Sequence, residues 1–570
     1  MSLKRLGLFS VWGLLFHLLP VLLLVACSPP DPPENVLNLG TISAPKTFNP
    51  VTARETSSTD VINQMFVGLT STDGQTGEVE PELASDWESK EDGRVWLFTL
   101  HDDLRWSDGE PLTAADVVFT YNELYLNFDI DSSARHVLLM DGEPPQVEKI
   151  SERQVKFTYP EPYVPFLRAA SNPILPKHLF AETSPAEFNY AWDVNTSPED
   201  LVVNGPFKLG HYESEQRVVL ERNPHYYKSE LAGEQLPRLN RLIFHVVENT
   251  DLQVQRFLRG DLDAIGVQAQ LYPVVRAGQQ RTDFEMHYSG PDLGTLFLAF
   301  NMNTNRHPET DETHIPEHKL DWFNDRQFRR AVAYAIDRQM IAEIVFNRLA
   351  SPAHGPVSPA NEEFYEPDLI KYEHDPAKAR EILEQAGYSD RSDDGILQDG
   401  EGNPVEFVLL TNAGADQRVA TAEIIRQDLA DIGMDVSFRQ VEFNTLVSQL
   451  SSDFDWEAVV MGFTGGLEPH FGSNVWLSSG NLHMWHPYQE EPVRDWEREI
   501  DELFAQGVRT LDPERRRDIY SRWQRIVNRE LPLIYTVNSE TIHAVHNRVK
   551  NAQPTAIGGL THNVEYLEVR

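Results

Sequence analysis

The sequence predicts an α/β protein, on three observations. Short β-rich apolar runs and capped amphipathic segments interleave along nearly the whole chain. Hydrophobic residues make up 41% and aromatics 10%, enough to bury a sizeable core. The 570 residues suggest roughly three to four structural units at about 150 residues each.

The N-terminal segment carries its own signals. Lys4 and Arg5 precede a largely apolar run from Leu6 to Ala26, broken only by two glycines, Ser10, His17 and Pro20. The run ends in Leu24-Val25-Ala26-Cys27, and a proline-rich stretch follows from Pro29 to Pro33. A basic start, an apolar middle and small residues before the cut predict a secretory signal over residues 1–26. Cys27 is the only cysteine, so no internal disulfide is available to it. The alternative is an uncleaved signal anchor, which His17 and Pro20 weaken.

Beyond a short tether over residues 27–35, Val36 to Leu39 reads as a strand and Asp60 to Leu69 as a helix. Trp96 to Leu100 and Val155 to Tyr159 read as antiparallel strands. Between them, Thr113 and Asp116 form a capping-box-like start to a helix over Val117 to Leu124. Strands follow at Val218 to Glu221 and Leu242 to Val247. A helix with Val254, Phe257 and Leu258 on one face then stops at Gly260.

Longer helices dominate after Phe297. Asn324 and Asp325 start one that carries Phe328, Val332, Ala335 and Ile336 at core spacing. Asp375-Pro376 supplies an N-cap and Pro at N1, with Gly387 past the end. Strand Phe407 to Leu410, helix Thr421 to Ile432 and strand Val436 to Val441 form a βαβ unit. Trp456 to Met461 is a further buried strand. Asp512-Pro513 caps a basic-faced helix, and Leu533 to Val537 is a strand.

Charge and motifs exclude several functions. The formal charge is −39, with 88 acidic against 49 basic residues, a field that repels nucleic acid and anionic lipid. Losing residues 1–26, with two bases and no acids, leaves the mature chain more negative still. The chain lacks His-Glu-x-x-His, Gly-x-Ser-x-Gly and the phosphate-binding Gly-x-x-x-x-Gly-Lys-Ser/Thr pattern. The expectation is therefore no catalysis and no cofactor. His483, Met484 and His486, with His470 upstream, form one imidazole–thioether set suited to copper or nickel. With 19 histidines in the chain and an irregular segment around these, the expectation is no metal site.

Ordered motifs extend this reading. Pro81-Glu-Leu-Ala-Ser-Asp-Trp87 is followed by Trp106-Ser-Asp-Gly-Glu-Pro-Leu-Thr-Ala-Ala-Asp-Val-Val-Phe-Thr-Tyr121. Asn204-Gly-Pro-Phe207, Glu221-Arg-Asn-Pro-His-Tyr-Tyr227 and Phe300-Asn-Met-Asn303 come next. Phe328-Arg-Arg-Ala-Val-Ala-Tyr-Ala-Ile-Asp337 and Asp375-Pro-Ala-Lys-Ala-Arg-Glu-Ile-Leu-Glu-Gln-Ala-Gly-Tyr388 complete the set. Each has a structural reading as well. Trp106 to Gly109 is a turn with an aromatic lid, Asp116 is a helix cap, and Arg329 with Asp337 is an ion pair in preference to a ligand contact.

Together they resemble the family 5 extracellular solute-binding proteins, which serve dipeptide, oligopeptide and nickel ABC importers. The Leu-Val-Ala-Cys run resembles a lipobox, implying that Cys27 is lipidated and anchors the mature chain to the membrane. The resemblance implies a two-lobed, type II periplasmic-binding-protein-like fold with an extra α/β domain inserted in the first lobe. Lobe I would take residues 36–68, 202–290 and 538–570, the extra domain 69–201, and lobe II 291–537, with hinges near 290 and 537. It further implies a monomer in the cell envelope that captures peptides or peptide-like solutes and delivers them to ABC permease subunits, powered by a separate ATPase. The alternatives are an oligosaccharide, nickel or metal-chelate carrier, or a chaperone-like or adhesive lipoprotein.

Ligand main chain in such relatives pairs with extended segments, which here resemble Gly40-Thr41-Ile42-Ser43 and Gly462-Phe463-Thr464-Gly465-Gly466. Peptide-binding members place an aspartate after the equivalent of Gly465, where it pairs with the ligand ammonium. This chain continues Leu467-Glu468-Pro469-His470 instead. Three readings stay open: Glu468 takes that role, the ligand has no free amine, or the glycines only form a turn. Arg418 falls near where some members hold a ligand carboxylate, or is a solvated surface residue. Trp485 is an aromatic wall for ligand side chains, or core.

Overall fold

The computed structural model describes residues 35–229, 233, 235–307, 310–389 and 395–570. The signal segment, Cys27 and all of the tether but Asn35 lie outside the described residues.

Four main sheets organise the chain. The first has the order Val36–Thr41, Arg241–Val246, Arg217–Arg222, Phe207–Glu213, with its first pair parallel and the others antiparallel. The second is antiparallel: Ala84–Lys90, Val95–Leu100, Gln154–Thr158, Gln146–Lys149. The third has the order Asp435–Val441, Glu406–Asn412, Ala458–Phe463, Thr295–Phe300, Leu533–Tyr535. Its Glu406–Asn412 strand is parallel to both neighbours, whereas Thr295–Phe300 is antiparallel to both of its own.

A small fourth sheet joins the architecture. Val537–His546 lies between Ala264–Gly266 and Phe284–Pro291, and its start pairs with Ala350–Pro352. The chain leaves this sheet at Pro291 and enters the third at Thr295; it returns from Tyr535 to Val537. The two crossings run side by side, Asp292 N–H donating to Ser539 O at 2.7 Å and Thr536 N–H to Leu296 O at 2.9 Å. Two large apolar cores flank the crossings, one almost wholly within residues 297–537 and one mainly within 37–244. The result is a two-lobed α/β fold.

The capping signals act as read. Asp325 accepts from Gln327 N–H, Asp375 from Lys378 N–H and Asp512 from Arg515 N–H, each starting its helix. Thr113 and Asp116 close a capping box. Gly260 ends Thr250–Arg259 with φ of 85°, a left-handed cap that glycine adopts freely.

Several expectations are corrected. The predicted helix over Asp60 to Leu69 is Thr56–Ile62, because Leu69 is drawn into a backbone bond with Ala170 O at 2.9 Å. At Gly68 a Cβ would lie 2.4 Å from the Ser171 carbonyl, so the chain passes too close to its neighbour to coil. The Val117-to-Leu124 helix is Ala114–Phe119, continuing as a π-helical turn over Thr120–Tyr125. The helix expected from Thr421 starts at Asp416, which moves Arg418 into its first turn. Arg329 and Asp337 do not pair: buried Arg329 donates to the Phe323 and Glu530 carbonyls, and Asp337 caps Arg338–Met340.

Candidate ligand-binding site

The strand Ala458–Phe463 is paired along its length with Thr295–Phe300. On its other side, Glu406–Asn412 pairs with it only at Ala458 and Val459. The neighbour ends at Asn412, level with Met461, so only Gly462 and Phe463 run past it. Arg418 occupies the space beside it. A Cβ at Gly462 would stand 3.7 Å from Arg418 Nη2, an ordinary contact, but 2.7 Å from Thr295 O, so glycine permits the close approach of the strand to Thr295.

A cavity of about 270 Å³ opens there over the two crossings. Its lining includes Arg418, Gln417, Gly462 and Thr464 together with Asp292, Thr295 and Ser539. Arg418 is half-buried; its Nη1 donates to Asn412 Oδ1 at 2.8 Å, with Met461 Sδ at 3.8 Å. Burial pushes its guanidinium below the usual arginine range, and no neighbouring charge offsets that. A half-desolvated cation held only by neutral partners is suited to an anionic ligand group.

The structure thus brings Arg418 together with Gly462, Phe463 and Thr464. Gly465 and Gly466 complete the loop. Gly465 has φ of 71°, and a Cβ there would come within 1.9 Å of Leu293 O. It packs the loop against a crossing, whereas Gly466 has open space around its Cα.

Thr41, Ile42 and Ser43 do not line this cavity. Thr41 ends an edge strand and donates from Oγ1 to Ser43 O at 3.1 Å, leaving Ile42 61% exposed. The adjoining Gly40 faces a separate cavity of about 630 Å³ with Gln253, Gly266, Glu82, Lys228 and Glu565. There Lys228 bridges Glu82 at 2.7 Å and Glu565 at 3.5 Å.

Two expected ligand residues are corrected. Glu468 is buried, accepts His470 N–H at 3.0 Å and pairs with Arg516 at 2.6 Å. Its charge is committed internally, so it is not available to a ligand ammonium. Trp485 is fully buried, packs on His483 with ring centroids 4.0 Å apart, and donates from Nε1 to Glu497 at 3.0 Å. It is core, not a wall of the site.

Of the histidines of the metal set, His483 is hydrogen-bonded through both ring nitrogens, whereas His470 Nδ1 and His486 Nε2 are buried without a partner among the described residues. His483 Nδ1 lies 2.9 Å from Val475 O and its Nε2 3.4 Å from Glu497, while His470 packs edge-on against Tyr163. Burial pushes His486 down to about 4, and Met484 is buried. Among the described residues no group of three or more His, Cys, Asp or Glu converges on a common point.

Asp292, Asn412, Gln417 and Ser539 escaped the sequence reading. Asp292 and Ser539 sit in the crossings, where no periodicity marks them. Asn412 reads as an ordinary strand end.

Comparison with known proteins agrees with this architecture. The profile for bacterial extracellular solute-binding proteins, family 5 (middle), matches residues 78–483. A probable ABC transporter-binding protein of Deinococcus radiodurans is 26% identical over 525 residues, covering 87% of this chain and 86% of the relative. The oligopeptide-binding protein AppA of Bacillus subtilis is 27% identical over 466 residues, covering 80% and 78%. The solved structure of that AppA with a nonapeptide superposes with a TM-score of 0.73 at 23% identity, covering 95% of this chain and all of AppA. NikZ of Campylobacter jejuni, solved with Ni(L-His), gives 0.73 at 22% identity over 94% and 100%. The match spans well over half of the chain, which belongs to the family 5 bacterial extracellular solute-binding proteins.

Proposed function

We propose that this chain is the capture subunit of an ABC importer, taking a peptide or peptide-like solute between its lobes and releasing it to a membrane permease. Arg418 carries the proposal: a half-buried cation with only neutral partners, beside strand Ala458–Phe463 where its parallel neighbour has ended. An extended ligand adds main-chain bonds to Gly462–Gly466, and its carboxylate meets Arg418. The relatives named for oligopeptides and dipeptides support this ligand class.

In this reading residues 36–68, 202–290 and 538–570 form lobe I, 69–201 an extra domain, and 291–537 lobe II. The crossings at 291–295 and 535–537 are the hinge, and closure buries the ligand. A micromolar Kd corresponds to about −8 kcal/mol, which must exceed the costs of ordering the ligand and closing the lobes. No chemistry is performed on the solute. Cys27 carries the lipid that tethers the chain outside the cytoplasmic membrane; incorporation of labelled palmitate that survives Cys27→Ala would refute the anchor.

A thermal-shift screen tests the ligand class, using di- to hexapeptides, acetylated peptides, oligosaccharides and Ni²⁺. A ligand at 100 times its Kd adds about 2.7 kcal/mol to apparent stability. Stabilisation by peptides is expected; stabilisation by sugars or Ni²⁺ alone would overturn the peptide reading.

A further inference from the structure

The cavity beside Arg418 contains a second charge that the family's motifs do not mark. Asp292 also lines it, half-buried, in the crossing between Pro291 and Thr295. Its backbone is held on both sides: N–H to Ser539 O at 2.7 Å, and O from Ser358 Oγ at 2.6 Å. One carboxylate oxygen, Oδ1, accepts Gly294 N–H at 2.5 Å, which aims the group. Among the described residues, no opposite charge lies within 4.0 Å of either Asp292 or Arg418, although both line the same space.

Two opposite charges that share a small cavity without meeting leave a gap with a defined polarity. Left empty, each is partly stripped of water with no opposite charge to compensate it. A solute bearing both an ammonium and a carboxylate fills the gap and satisfies both. Both charged ends must sit within this one cavity of about 270 Å³, so the separation between them is short. Glu468 does not compete for the ammonium, because Arg516 holds it.

We infer that Asp292 is the ammonium-binding residue of this cavity, which therefore takes an amino-acid- to dipeptide-sized zwitterion, carboxylate on Arg418 and ammonium on Asp292. This rests on the proposed role of Arg418 in ligand capture. Asp292 lies on a crossing and Arg418 on the first turn of Asp416–Asp431, so one ligand ties the crossing to that helix. The aspartate that peptide-binding relatives carry after the glycine loop is thereby replaced by one on the crossing.

The test measures Kd by calorimetry for Ala-Ala, N-acetyl-Ala-Ala, Ala-Ala-amide and hexa-alanine against the wild-type protein, Asp292→Asn and Arg418→Gln. The Asp292→Asn side chain retains an oxygen for Gly294 N–H, so the loop geometry is kept. Each charge-assisted contact is worth about tenfold to a hundredfold in Kd. Acetylation is expected to weaken binding to the wild type by at least about tenfold and to make no difference to Asp292→Asn, while amidation still weakens both. Equal wild-type affinity for free and acetylated peptide overturns the role of Asp292 and leaves that of Arg418 intact. Equal weakening of both by Asp292→Asn makes the residue structural and overturns it too. Binding of long peptides without Ala-Ala overturns the short zwitterion alone, and binding of no peptide overturns the proposed function with it.

Discussion

The Glu468 carboxylate lies 2.6 Å from the Arg516 guanidinium, and both side chains are almost wholly withdrawn from water. Arg516 also donates from Nε to Gly507 O at 2.9 Å, and Glu468 caps the turn Pro469–Gly472, so the pair fastens two helices to the end of the glycine loop. Burial alone would lower the Arg516 pKa, but Glu468 more than offsets this and holds it above the usual arginine range. Arg516→Met leaves a buried carboxylate unpaired and is expected to cost about 3–5 kcal/mol in urea unfolding. The double variant with Glu468→Gln recovers part of that loss. Glu468→Gln alone leaves the preference between free and acetylated peptides unchanged.

The two adjacent glycines behave oppositely. Gly465→Ala places a methyl against Leu293 O in a left-handed backbone, so a loss of at least about 1–2 kcal/mol is expected. Because Leu293 lies in a crossing, ligand affinity falls with it. Gly466→Ala meets nothing within 4 Å and should change stability by no more than about 0.5 kcal/mol. Parallel melting curves of the two variants check the contrast.

Acid weakens this fold in two windows. Burial holds His354, His486 and His543 at about 4, below the unfolded value of 6.5. The unfolded chain therefore takes up protons first, and stability falls as pH drops from about 6.5 to 4. Burial would raise the Glu497 pKa, but the His483 hydrogen bond and the Arg494 charge outweigh it and leave about 2. A folded value below 4.5 means that its contribution, present above pH 4.5, is lost between about 4.5 and 2. Urea midpoints should hold from about pH 8 to about pH 7 and decline from there to about pH 3, and Glu497→Gln should flatten the lower part.

Arg418→Met separates binding from folding. Its removal deletes a desolvated charge whose partners are neutral, so melting temperature is expected to hold or rise. Affinity for ligands with a free carboxylate should drop about tenfold to a hundredfold, and affinity for their amides should not change. A matching loss for amides would assign Arg418 to packing.

The sequence by itself determined the elements whose causes are local. Asp325, Asp375 and Asp512 announce helix starts because a side-chain oxygen beside the first turn needs no distant partner. Gly260 announces an end for the same reason. The family followed from ordered motifs, each of which sets a turn, cap or core face. Only the tertiary structure decided the use of each charge. Nothing around Glu468 reveals that Arg516 reaches it, and nothing around Trp485 shows that Glu497 takes its N–H. Arg418 and Asp292 are distant in sequence and share one cavity only because two crossings bring a helix start and a strand end together. Capping energy is set within one turn of chain, whereas desolvation and charge pairing depend on which surfaces meet.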